Sequence, residues 1–140
     1  MFAPRQTKFP KSFKGKLRNN SIKTHSLEDL YNGPIRLISK EAGRLKSLHL
    51  NCLNMAIRKS LKKNLAIHHT SFPHTPVTSK PLEVRMGKGK GSFDHWTANI
   101  FSGTTLIKIT ALNSNTTSIS ASLKVLNKKM PLNIRVISPR

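Results

Sequence analysis

Between Met86 and Ser92 the chain reads Gly87-Lys88-Gly89-Lys90-Gly91, three glycines alternating with two lysines. Glycine has no Cβ, so it reaches φ > 0 and lets the backbone approach another surface closely. Lysine adds a hydrated point charge on a flexible stem. The product is a small, bare, cationic loop that suits a dense array of phosphates. Before it, Leu82, Val84 and Met86 alternate with Glu83 and Arg85, a period of two that predicts a half-buried strand. After it, Phe93 and Trp96-Thr97-Ala98-Asn99-Ile100-Phe101 are again β-prone. The expectation is a long hairpin with a glycine–lysine tip.

Two phosphate-binding signatures do not fit this loop. A P-loop requires G-x-x-x-x-G-K-[ST], and Gly91 is followed by Ser92 rather than lysine. A dinucleotide fingerprint requires G-x-G-x-x-G opening a helix. Here the spacing is G-x-G-x-G, and the residues that follow do not read as a helix. A flexible loop with solvated lysines is the plain alternative, and the rest of the chain argues against it.

Twenty-five Lys and Arg face five Asp and Glu, a formal net charge of +20 on 140 residues. A chain so charged repels itself when compact and calls for a polyanion, of which nucleic acid is the usual one. Its hydrophobic fraction, 36%, is low for a self-sufficient globule. A membrane surface is the rival partner. No apolar run nears the ~18 residues that a span needs, and the cations do not gather on one face of a clean amphipathic helix. Cys52 is the only cysteine, which leaves no intrachain disulfide and no C-x-x-C. The start, Met1-Phe2-Ala3-Pro4-Arg5, lacks the apolar core of a secretory signal.

Residues 1–26 carry Arg5, Lys8, Lys11, Lys14, Lys16, Arg18 and Lys23 without one acid, interleaved with Phe2, Phe9 and Phe13. Pro4 and Pro10 break any helix. The segment is expected to be disordered alone and extended on RNA, with cations on phosphates and aromatics against bases or sugars. Residues 27–140 read as a single domain. Asn32-Gly33-Pro34 is a turn, and Ile35, Leu37 and Ile38 predict a short strand. Residues 45–63 are the best helix, with Leu50, Leu53, Ile57 and Leu61 on one face. A second strip, Leu48, Cys52 and Met55, predicts cover on more than one side. Lys59, Lys62 and Lys63 suit either the helix dipole or RNA.

Leu65-Ala66-Ile67-His68-His69 predicts a strand, and Phe72-Pro73-His74-Thr75-Pro76 a loop leading to Lys80. Ser102-Gly103 is a turn before a strand over residues 104–109. A second helix is expected over residues 117–128, stopped by Pro131, and residues 133–137 return to the sheet. His68 and His69 point to opposite faces of a strand, poor geometry for a shared metal. Asp94-His95 has no recognisable nucleophile beside it. No catalytic residue, metal or cofactor is expected. A nucleotide-handling enzyme is one alternative, but it lacks a convincing acid pair or base. A general nucleic-acid chaperone is another.

These residues also carry a resemblance. Lys80-Pro81-x-x-Val84-Arg85-Met86-Gly87-Lys88-Gly89-Lys90-Gly91, followed by Trp96, resembles the signature of the bacterial-type large-subunit ribosomal protein L-sixteen family. Pro4-x-x-Thr7-Lys8-Phe9-x-Lys11-x-x-Lys14-Gly15 is similar to that family's N-terminal arm. Gly43-Arg44-Leu45 before a basic helix, and Pro76-Val77-Thr78 before Lys80-Pro81, agree in order and spacing. Residues 19–42 and 102–140 match weakly.

The resemblance implies an α+β fold, an antiparallel sheet with two helices packed on it. It implies a structural, non-enzymatic place in the large ribosomal subunit. There the protein would bind large-subunit rRNA, lie among other large-subunit proteins, help shape the aminoacyl-tRNA site and assist late assembly. With the charge pattern, it implies rRNA contact by Arg5, Lys8, Lys11, Lys14, Lys16, Arg18, Arg44, Lys59, Lys62 and Lys63. The loop of Arg85, Met86, Gly87, Lys88, Gly89, Lys90 and Gly91 would reach toward tRNA. Arg85 matches an arginine hydroxylated in some bacterial members. Ser92-Phe93-Asp94-His95 departs from the family's usual Glu-Tyr or Glu-Trp ending. An alphabet tilted to Lys, Asn, Ile and Ser points to an AT-rich organellar gene and a mitochondrial ribosome, with a plastid or a bacterial cytoplasm as alternatives.

Overall fold

The computed structural model describes residues 2–17, 34–61, 65–87, 89–111, 123 and 127–138. In chain order these give β1 (Ile35–Ser39), β2 (Gly43–Lys46), α1 (Ser47–Leu61), β3 (Leu65–His69), β4 (Thr75–Ser79), β5 (Ser92–Ile100) and β6 (Thr105–Ala111). A 3-10 turn at Asn127–Lys129 and β7 (Ile134–Ile137) follow. The expected single sheet is two antiparallel sheets, β3-β6-β1-β7 and β2-β5-β4. Among the described residues, α1 is the one helix described along its length, and Leu123 is a further α-helical residue. The expected second helix, residues 117–128, falls largely outside them: of its described residues, Leu123 is α-helical and the end from Asn127 is 3-10.

Both sheets and the helix share one core. Leu50, Leu53 and Ile57, spaced at i, i+3 and i+7, are at most 2% exposed and join Leu45, Ala98 and Ile100 of one sheet with Ile35, Leu37, Leu106, Ile107 and Ile109 of the other. Leu123, Leu132 and Ile134 complete the cluster. The second strip on α1 behaves otherwise than expected: Leu48 and Met55 are 66% and 72% exposed, and Cys52 is exposed. The helix is therefore covered on one side, because the sheets supply only one apolar surface for it to lie on.

Local chemistry fixes where α1 begins. The expected start at residue 45 is too early, since Leu45 pairs with Ala98 in β2–β5. The Lys46 backbone N–H donates to His49 Nδ1 at 3.3 Å. This is the reciprocal half of a capping box, with imidazole in place of the usual carboxamide or carboxylate. The acceptor is the lone pair of a neutral ring. Burial, then the charges of Lys46 and His95, hold the His49 pKa below its ordinary 6.5. His69, on β3, meets Phe2 edge to face at 4.6 Å. Burial and Arg58 lower its pKa likewise.

Two register slips shape the sheets. Leu37 pairs with Ile107 but Ile38 with Thr105, so Leu106 is the extra residue of β6. A bulge of this kind lets consecutive residues face the same way, and both Leu106 and Ile107 are fully buried. The second slip is in β5, between the partners of Val77 and Thr78.

The hairpin is present, but its first strand is β4 rather than residues 82–86. Thr75 and Pro76, expected in a loop, belong to β4. Proline is tolerated there because β4 is an edge strand. Past Ser79 the chain leaves the sheet. The Val84 N–H closes a turn on the Pro81 carbonyl at 3.3 Å, and Leu82 and Met86 are fully or almost fully exposed. The alternation of residues 82–86 marks no buried face.

Two outcomes follow from this packing. Ile57→Ala is expected to cost about 2–5 kcal/mol in urea unfolding, and Met55→Ala within about 0.5 kcal/mol of zero. Because both histidines have lowered pKa values in the folded state, the unfolded chain takes up protons first as pH falls through 6.5. Their contribution is fully present above that pH and lost below it. Thermal midpoints measured from about pH 7.5 to pH 5 should fall, and should fall less in His49→Gln/His69→Gln.

Candidate nucleic-acid interface

Residues 80–91 leave the sheet at Ser79 and re-enter it at Ser92, and those two residues are paired. The loop is thus pinched at its root. Gly91 makes the pinch possible, since a Cβ there would overlap the Ser79 carbonyl. Gly87 and Gly89 have φ of 95° and 78°, the left-handed region, with open space around them. Across the loop, Lys80 Nζ donates to the Gly87 carbonyl at 2.6 Å. Residues 80–87, with Gly89 and Lys90, are exposed, so Arg85 and Met86 stand in solvent.

The N-terminal arm lies against this loop. Residues 2–17 form neither helix nor strand, so their carbonyls are not used up in a ladder and can accept from side chains. Lys90 Nζ donates to the Ser12 carbonyl at 2.7 Å and sits 4.0 Å from the centre of the Phe13 ring, within cation–π range. In return, Lys11 Nζ reaches the Lys90 carbonyl at 3.4 Å. Arg44, on β2, donates through Nη2 to the carbonyls of Gly15 at 2.6 Å and Lys14 at 3.1 Å. The arm and the tip are therefore one surface, though 78 positions separate Ser12 and Lys90 in sequence.

The cations expected from sequence to bind rRNA, and the loop lysines expected near tRNA, sort by where they stand. Arg5, Lys8, Lys11, Lys14 and Lys16 are exposed along the arm. Arg44 and Lys90 turn toward the arm's backbone. Lys59 is exposed at the end of α1, on a separate element. Arg18, Lys62, Lys63 and Lys88 lie outside the described residues. Sequence reasoning did not anticipate the arm–tip contact or the pairing of Phe93 with Trp96, whose ring centres are 5.0 Å apart. Spacing gave no signal for either. His95 Nδ1 and Asp94 Oδ2 are 2.9 Å apart, a pair formed by chain neighbours. Among the described residues, no group of three or more His, Cys, Asp or Glu is placed to hold a metal. No helix among them is long and apolar enough to cross a membrane.

Fold and surface together define a cationic protein of antiparallel sheets with a helix packed on them that presents a bare glycine–lysine tip backed by a basic arm. Comparison with known proteins gives that class its family. The family model described as "Ribosomal protein L16p/L10e" matches residues 4–137. The chain is 37% identical over 132 residues to "Large ribosomal subunit protein uL16" of Buchnera aphidicola subsp. Baizongia pistaciae (strain Bp), covering 94% of this chain and 93% of that protein. The chain belongs to the ribosomal protein L16p/L10e family. Members are structural constituents of the ribosome and not enzymes, which sets aside the nucleotide-handling alternative.

The arm–tip contact has a direct check. Arg44→Ala should speed chymotrypsin cleavage after Phe13 several-fold, by freeing local opening of the arm, with the urea midpoint of the domain nearly unchanged.

Proposed function

We propose that this chain is a structural constituent of the large ribosomal subunit that binds large-subunit rRNA through its arm and hairpin tip. The observation that carries the reading is the joined arm–tip surface. Arg5, Lys8, Lys14, Lys16 and Arg85 are exposed around it, and Lys90 and Arg44 hold the arm in place. A relative of nearly the same length is named as a large-subunit protein.

In this reading the two sheets and α1 form a rigid base, and the tip projects from it toward the aminoacyl-tRNA site. Glycine at positions 87 and 89, with open space around each, lets the backbone itself come near RNA, where a side chain would hold it off. The arm, residues 1–26, follows rRNA along phosphates, and the domain of residues 27–140 docks beside neighbouring large-subunit proteins. Late subunit assembly depends on this docking. The lysine-, asparagine-, isoleucine- and serine-rich alphabet places the ribosome in a mitochondrion. A plastid or a bacterial cytoplasm is the alternative, the latter compatible with the bacterial relative.

Sedimentation tests the class: the protein should travel with large-subunit rRNA at moderately high salt, and migration at the top of the gradient overturns the proposal. For isolated rRNA fragments, neutralising ~6 phosphates predicts a slope of log K on log[salt] of roughly −4 to −5. Arg85→Ala/Lys88→Ala should impair subunit maturation or tRNA accommodation without moving the unfolding midpoint. Normal subunit profiles and normal translation in that variant would remove the role given to the tip.

A further inference from the structure

Side chains three apart on a regular strand point to opposite faces. Phe93 and Trp96 nevertheless meet, with ring centres 5.0 Å apart and planes tilted by 49°. The register slip in β5 is the cause. Val77 pairs with His95, but Thr78 pairs with Phe93, which leaves Asp94 as an extra residue. A bulge re-aims the side chains beyond it, and here it turns Phe93 to the side of Trp96. An aromatic pair that served packing alone would be closed off. Phe93 instead remains 42% exposed.

The position of the pair matters as much as its geometry. β2 pairs with β5 only along Thr97–Ile100, as the partner of Gly43–Lys46. Among the described residues, no strand covers that edge of β5 from Ser92 to Trp96. Phe93 is two residues from Gly91, at the root of the cationic loop, and about 10 Å of extended chain from Lys90. Lys80 and Lys90 are exposed beside the root, and the one acid next to Phe93, Asp94, is paired with His95 at 2.9 Å, so the cations prevail there. An apolar partner protein would have to bury these charges, whereas a polyanion is drawn to them.

Resting on the RNA-binding reading above, we infer that Phe93 and Trp96 form a stacking platform for an unpaired nucleobase. The phosphates of the same strand lie on the tip and arm. Every base has a π face, so the platform selects single-stranded over paired RNA rather than one base over another. It adds to the phosphate contacts a term that salt does not screen. The bulge at Asp94 is the device that builds it, since without the extra residue the two rings would stand on opposite faces.

Trp96 is the only tryptophan in the chain, so its emission reports stacking directly. The full chain would be titrated with end-labelled oligoadenylate of about 12 nucleotides and with a blunt RNA duplex of the same length. Anisotropy follows binding, and Trp96 emission follows stacking. Both RNAs are expected to bind with strong salt dependence, and only the single strand should quench Trp96. Phe93→Ala should weaken single-strand binding about 5- to 100-fold and leave duplex binding within about 2-fold. Phe93→Leu, which keeps the side chain apolar and bulky, should act in the same direction if the alanine variant does not fold. Salt-dependent binding of both RNAs with Trp96 emission unchanged, or with neither variant affected, would overturn the platform and leave the RNA-binding reading standing. Failure of both RNAs to bind would overturn that reading and the platform with it.

Discussion

Backbone carbonyl oxygens do in this protein what carboxylates do in most. With five acids to meet twenty-five Lys and Arg, the chain cannot hold its irregular parts together by ion pairing. Instead Lys80, Lys90, Lys11 and Arg44 each donate to main-chain oxygens. Those oxygens are available because residues 2–17, 80–87 and 89–91 are outside any helix or sheet ladder. A carbonyl carries no net charge, so the contact leaves the surrounding positive field intact. The arm and tip can thus be tied together without weakening their attraction for phosphate. Carboxylates in the same places would hold the segments more tightly and would repel RNA.

The division between a closed core and an open cationic periphery explains which parts of the fold the sequence disclosed. The stripe of Leu50, Leu53 and Ile57 and the apolar runs of β1, β3, β6 and β7 answer to burial, and burial leaves a period. β2 was missed because only Leu45 of its four residues is buried. β4 as a whole is hidden in the sequence, because Pro76 argues for a loop anywhere but on an edge strand. Residues 82–86 and the strip of Leu48, Cys52 and Met55 misled for the opposite reason: they have a period and no core behind it. The split into two sheets depends on which strands pair, and no local pattern states that.

For the candidate interface the same limit takes another form. The glycine–lysine loop was evident because its chemistry lies in residue types. The contact between arm and loop was not, because its acceptors are main-chain atoms that every residue possesses. Phe93 and Trp96 were visible as aromatics but not as a pair, since their meeting depends on a bulge created by the register of Val77 and Thr78. Family likeness supplied the order and spacing of the motifs and left these contacts to the three-dimensional structure.

The turn at Ser102-Gly103 gives the hairpin a mechanical footing. β5 is the middle strand of one sheet and β6 an inner strand of the other, and this short turn is the covalent link between them. Gly103, at φ 82°, lets the chain reverse. Its N–H bonds the Ser39 carbonyl at 2.8 Å, while the Ser39 N–H bonds the Thr104 carbonyl at 3.0 Å. Ser102 Oγ reaches the Lys40 carbonyl at 2.8 Å. A load applied at the tip passes down β5, through this stitched corner, and into the second sheet. The projecting loop is therefore a cantilever whose anchorage is the whole protein rather than one hairpin.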